Sequence, residues 1–202
     1  AGLGVAVLAV QLATLPALPP RGRPRLSTLV ELMSRRHIAL AMLAVLLVFA
    51  GHMSLFTYIR PFLETVTGIG VTAISATLLA FGIANFLGNY LGSMLVARSL
   101  RLTLALAPLA IATLAYLLTN LGASFPSALA IITLWGLAFG TVPVAWSAWI
   151  SRAVADEAES AGGLLVAAIN LAIAAGAAVG GLVLDLSGVV SVFLTSGAVL
   201  VL

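Results

Sequence analysis

The chain has 202 residues, of which 62% are hydrophobic and only 7% charged, whereas a soluble domain charges about a quarter of its residues. So few charges cannot clothe a globule of this size in water, which leaves a membrane-embedded chain. The formal charge of +3 comes from arginines suited to an anionic membrane surface and carries no argument for nucleic acid, and with no cysteine there are neither disulfides nor thiolate metal ligands.

A helix that crosses the hydrocarbon core needs about 20 mostly apolar residues. Residues 1–15 supply part of one and are expected to end a preceding transmembrane helix. They lack a basic leader region and run into a basic segment, so they are not expected to form a signal peptide. Residues 16–37 form a basic central loop: Pro16, Pro19, Pro20 and Pro24 forbid a continued helix, and Arg21, Arg23, Arg25, Arg35 and Arg36 give it its charge. Its last part, 27–36, is amphipathic and expected to lie along the surface as a short helix.

Residues 38–202 then divide into six expected spans, at 38–59, 71–96, 102–120, 127–150, 162–184 and 189–202. Arg60 and Pro61 end the first. Residues 97–101 make a tight turn after the second, and a kink is expected near Pro108 in the third. The fourth should be broken or bent at Pro143, beside Gly136 and Gly140. Asp156, Glu157 and Glu159 precede the fifth, where acids complement a helix N-terminus.

The basic side chains fix the orientation. All nine Lys/Arg positions are arginine; Arg98 and Arg101 share with the central loop one set of alternate gaps, as does Arg152, while Arg60 stands alone in the other set. Cationic loops stay cytoplasmic, so the central loop 16–37 is expected on the cytoplasmic side of the membrane. A partial helix, a basic loop and six helices with very short turns form the pattern of half a twelve-span transporter, an all-α membrane fold. The chain, apolar at both ends, reads as part of something longer.

Three segments carry a family resemblance. WGLAFGTVPVAWSAWISRAVADEAESAGG runs from Trp135 to Gly163, FAGHMSLFTYIRPFL from Phe49 to Leu63, and GAAVGGLVLD from Gly176 to Asp185. Together they closely resemble the C-terminal half of bacterial drug:proton antiporters of the major facilitator superfamily, and within that branch the purine ribonucleoside efflux permeases. Two departures stand out: His52 occupies a place where the family suggests a neutral amide, and 97–101 is a degenerate copy of its cytoplasmic loop motif. The resemblance implies secondary active, proton-coupled export of a purine nucleoside by alternating access, with substrate at the bilayer midplane between two halves. It also implies an N-terminal half as partner, holding the proton-coupling acid, and no transport by this half alone.

Several residues are candidates for the substrate side. His52 lies about 11 Å of helix rise from the end of its span, and an imidazole in hydrocarbon must face a wet cavity or a partner. Asn85 and Asn89 stand four residues apart on the second span, with Thr77 and Ser93 on the same stripe. Their amides can read a purine edge or ribose hydroxyls, or equally join two helices. Trp135 is deep enough to stack on a base, whereas Trp146 and Trp149 are expected as interfacial anchors. Asn170 is the strongly polar side chain deep in the fifth span and is expected to face the bundle.

Others are structural candidates. Ala172, Gly176 and Gly180 form a small-residue ridge for close helix approach, Pro143 offers a bend for gating, and Arg60 and Glu64 can pair at the outer end for roughly 0–1 kcal/mol. No metal-ligand spacing, Ser-His-Asp grouping or lysine-bearing phosphate loop exists in the sequence, so neither an enzyme nor a cofactor is expected. The alternatives are a sugar or drug exporter of the same superfamily, or a non-transporting membrane receptor or scaffold, which would have no use for a polar centre.

Overall fold

The computed structural model describes residues 2–14 and 26–202; the proline- and arginine-rich heart of the expected basic loop, including Arg21, Arg23 and Arg25, lies outside the described residues. In chain order the helices are α1 (Gly2–Thr14), α2 (Leu26–Ser34), α3 (Arg36–Thr57), α4 (Ile59–Phe62), α5 (Val71–Leu121), α6 (Phe125–Ala153), α7 (Ala158–Ser187) and α8 (Val189–Val201), with a π-helical turn at Leu63–Thr67 and no strand among the described residues. Four of these, α3, α5, α6 and α7, are long and apolar enough to cross a membrane. Large side chains such as Phe86, Leu79 and Leu182 stand exposed on their outer faces, as lipid contact requires. The chain is an all-α, multi-pass membrane protein.

The 51 residues of α5 would extend about 76 Å as one straight helix, far more than the roughly 30 Å hydrocarbon core. The helix is interrupted at Ser99, whose φ of −160° and ψ of 100° are extended. The Ser99 hydroxyl accepts the Leu102 N–H at 3.3 Å and its carbonyl accepts from the Thr103 hydroxyl at 2.9 Å, so one residue both ends the first arm and caps the second. The turn expected over 97–101 is thereby condensed into a single non-helical residue. Pro108 lies buried inside the second arm. Of the break or bend expected at Pro143, a break is absent: α6 runs as one helix through it. A proline removes one backbone donor, and packed neighbours let a membrane helix carry that loss.

Two helix pairs close backbone to backbone. Where the first arm of α5 crosses α6, a Cβ on Gly140 would come within 2.8 Å of the Asn89 nitrogen and of the Gly88 carbonyl carbon, and one on Gly88 would run into the Leu137 carbonyl. Where α3 crosses α7, a Cβ on Gly176 would strike the Ala50 backbone, and one on Gly180 would lie 2.5 Å from the Ser54 hydroxyl and 2.6 Å from the Tyr58 ring. Tyr58 donates across that second crossing to the Ala177 carbonyl at 2.7 Å. The expected ridge Ala172, Gly176 and Gly180 is thus the buried face of α7. α8 packs behind, with Phe62 and Phe193 rings 4.6 Å apart. At the arginine-bearing end, Arg35 lies 3.6 Å from Glu31 and 3.5 Å from Asp156, linking the α2–α3 junction to the α6–α7 turn.

Candidate functional site

An aromatic cluster fills the space between the two helix pairs, and His52 sits inside it. Phe49, His52 and Phe56 come from α3, Phe81 from α5, and Trp135 and Phe139 from α6. The His52 ring lies flat on Phe139, with 5° between planes and 3.2 Å between centroids. Phe56 at 5.9 Å and Phe81 at 6.5 Å are also stacked with it, and Trp135 presents its edge at 5.5 Å and 71°. The Trp135 indole N–H donates to His52 Nδ1 at 3.2 Å. His52 is 1% exposed and Trp135 3%, so the indole N–H and the imidazole Nδ1, each costly alone in hydrocarbon, satisfy one another. Phe56, at 37% exposed, is the flank on which this cluster meets the outside.

Asn85 joins the cluster from below. It lies one turn past Phe81, and its Nδ2 reaches the Gly136 carbonyl, next in sequence to Trp135, over a long 3.4 Å. Asn89 donates at 3.0 Å to the Asn85 carbonyl on its own helix and is exposed. Of the expected substrate residues, then, His52, Trp135 and Asn85 converge on one cluster, and Asn89 follows one turn away. Asn170 does not join them, and the expectation that it faces the bundle is not met. It is exposed, donates to the Val166 carbonyl of its own helix at 2.9 Å, and lies opposite the Leu165, Ala168, Ala172 and Gly176 face by which α7 packs. Its amide is satisfied locally, and the glycine ridge decides which face α7 buries.

Arg60 and Glu64 pair at 2.7 Å within one turn and are 65% and 40% exposed. The contact is confined to the α4 segment and the turn after it. Trp146 also departs from expectation: it is buried, with Trp149 edge-on at 5.9 Å. Both line a hollow of about 730 Å³ with Arg101, Pro108 and Leu200. The second arm of α5 passes on that side, which turns a presumed lipid-facing belt inward. Among the described residues no three His, Asp or Glu side chains gather as a metal site.

Sequence reasoning missed Phe56, Phe81 and Phe139. Each lies four residues from a candidate it did single out: Phe56 from His52, Phe81 from Asn85, Phe139 from Trp135. Side chains at that spacing share a helix face. Three aromatic–polar pairs on three helices were therefore a readable signal.

The whole chain is similar to curated proteins named purine ribonucleoside efflux pump NepI. It is 40% identical over 202 residues to that of Escherichia coli O157:H7, covering 100% of this chain and 51% of the relative. It is 41% identical over 200 residues to those of Escherichia coli (strain K12) and Shigella flexneri, covering 99% of this chain and 50% of each relative. The chain thus spans about half the length of the curated relatives it matches. No family model matches it, and no solved structure does.

Proposed function

We propose that this chain belongs to the same family as those efflux pumps and forms half of a proton-coupled exporter of purine ribonucleosides. The observation that carries the reading is a match running the length of the chain to relatives named for that activity. The expected architecture is that of the major facilitator superfamily: this bundle rocks against an N-terminal half, with the substrate held between them. The arginines at the Arg35, Arg101 and Arg152 end support an orientation with that end on the cytoplasmic side of a bacterial inner membrane.

His52, Trp135 and Asn85 are the residues assigned to the substrate side, with Asn89 extending the wall. A flat heterocycle with ring nitrogens suits an aromatic cluster edged by amides, because base–aromatic stacking contributes roughly 1–3 kcal/mol. Asn170, on the exposed face of α7, would face the partner half or the path between the halves. Gly176, Gly180 and Pro143 are assigned to helix packing and motion, and Arg60 and Glu64 to the outer rim.

The test is inosine efflux from preloaded cells expressing the full-length transporter that contains this chain, with and without an uncoupler. Efflux that is lost when the proton gradient collapses supports the reading. Absence of efflux in both conditions, with the protein verified in the membrane, removes the nucleoside assignment. The exposed amide of Asn89 would then favour a polar solute such as a sugar, among the exporters the superfamily contains.

A further inference from the structure

His52 is the one titratable side chain in the aromatic cluster, and its hydrogen bond determines its chemical form. An indole N–H donates and never accepts. Because Trp135 Nε1 donates to His52 Nδ1 at 3.2 Å, Nδ1 must hold a lone pair, and the ring proton belongs on Nε2. An imidazolium, protonated at both nitrogens, would set two N–H groups against each other at that distance.

The surroundings give a cation nothing in exchange. The packed neighbours are Phe56 on α3, Phe81 on α5, and Trp135 and Phe139 on α6, none of which titrates. The six acidic residues of the sequence, Glu31, Glu64, Asp156, Glu157, Glu159 and Asp185, all lie near helix ends and are exposed. Without a carboxylate beside it, a charge buried in this setting lacks the pairing that would make it tolerable.

The Nε2–H makes no hydrogen bond to any described residue, although His52 is 1% exposed. No buried side-chain nitrogen or oxygen is left without a partner among the described residues. The free N–H therefore borders what little opening the ring has. Ring stacking on Phe139 fixes the plane, and Trp135 fixes the tautomer.

We propose that His52 is a permanently neutral hydrogen-bond donor for the transported solute, presenting Nε2–H to an acceptor on a flat heterocycle, and that it does not carry the coupling proton. Trp135 acts through it as a positioning residue. The acceptor belongs to the chemical class of ring nitrogens and exocyclic carbonyl oxygens. This rests on the nucleoside-export reading above.

The test uses the full-length transporter in proteoliposomes with inosine as probe, once wild-type uphill efflux is established. His52→Gln keeps a neutral N–H donor, and His52→Phe keeps a ring but removes the donor. His52→Gln is expected to retain gradient-driven, uncoupler-sensitive transport, whereas His52→Phe raises the inosine KM by about tenfold, the scale of one lost hydrogen bond. If His52→Gln loses uphill transport but still exchanges inosine for inosine, the histidine carries the proton and the proposal is overturned. A His52→Phe variant with wild-type KM overturns it equally. Nitrogen NMR of the His52 ring gives a readout that needs no substrate. One protonated and one lone-pair nitrogen across the transport pH range supports the assignment, with Trp135→Phe releasing the preference between tautomers; two protonated nitrogens refute it. A wild-type protein that moves no inosine at all instead fails the export reading, a result distinct from any of these.

Discussion

Gly88 of α5 and Gly140 of α6 pass one another so closely that neither has room for a methyl group: a Cβ on Gly140 would sit 2.8 Å from the Gly88 carbonyl carbon. The contact lies one turn from Asn85 and so sets the height at which the Asn85 amide meets α6. Gly140→Ala is expected to destabilise the bundle by about 1–3 kcal/mol, the range of an overpacked core. Gly82→Ala, with nothing within 4 Å of its Cβ, should be neutral. Thermal unfolding of the purified full-length protein in detergent distinguishes them; equal melting temperatures would show that the crossing is not as tight as described.

The α3–α7 crossing makes a graded prediction. Tyr58→Phe deletes only the hydrogen bond to the Ala177 carbonyl and should cost about 0.6 kcal/mol, the average for interhelical bonds in membranes. Gly180→Ala pushes a methyl into Ser54 and the Tyr58 ring and should cost more, about 1–3 kcal/mol. The same melting assay orders the two, and a larger loss for Tyr58→Phe would contradict the packing.

Asn85 is the candidate that links substrate side and helix contact. Its bond to Gly136 is long, so Asn85→Ala should leave membrane insertion and melting almost unchanged while lowering inosine export by about tenfold or more. Export at normal levels would take Asn85 out of the site.

Glu64→Gln removes a pair that is mostly in solvent, and exposed pairs contribute roughly 0–1 kcal/mol. Neither export nor stability should change appreciably. A strong transport defect at normal expression would reveal that the pair closes against something beyond its own turn.

Ser99→Ala removes the hydroxyl that accepts the Leu102 N–H. Loss of a helix N-cap costs about 0.5–2 kcal/mol. Hydrogen exchange should locate the loosening at residues 100–103, with the far end of the second arm unaffected.

Composition and arginine placement made the membrane class readable, because both follow from free energies of transfer that act residue by residue. The glycine ridge of α7 was readable too, since small residues at every fourth position have few other uses in a membrane helix. Three-body relationships were not. Nothing local to Asn170 says that the Gly176 and Gly180 face would be buried in preference to its own. Trp146 and Trp149 sit near a helix end, the usual place for interfacial tryptophan, and only the path of the second arm of α5 turns Trp146 inward. The His52–Trp135 bond spans 83 residues of sequence and depends on how α3 and α6 face one another. Each partner was visible separately, and their pairing was not.

The two helix pairs meet differently from the way each is closed. Within α5–α6 and α3–α7, backbone meets backbone so closely that Gly88, Gly140 and Gly176 have no room for a methyl group. Between the pairs lie Phe49, His52, Phe56, Phe81, Trp135 and Phe139, rings that meet at interplanar angles from 5° to 76°. Aromatic contacts tolerate many offsets at similar energy. Between the pairs the rings thus meet side chain to side chain, whereas within each pair glycine lets backbone meet backbone, and a flat molecule among those rings would displace side chains alone.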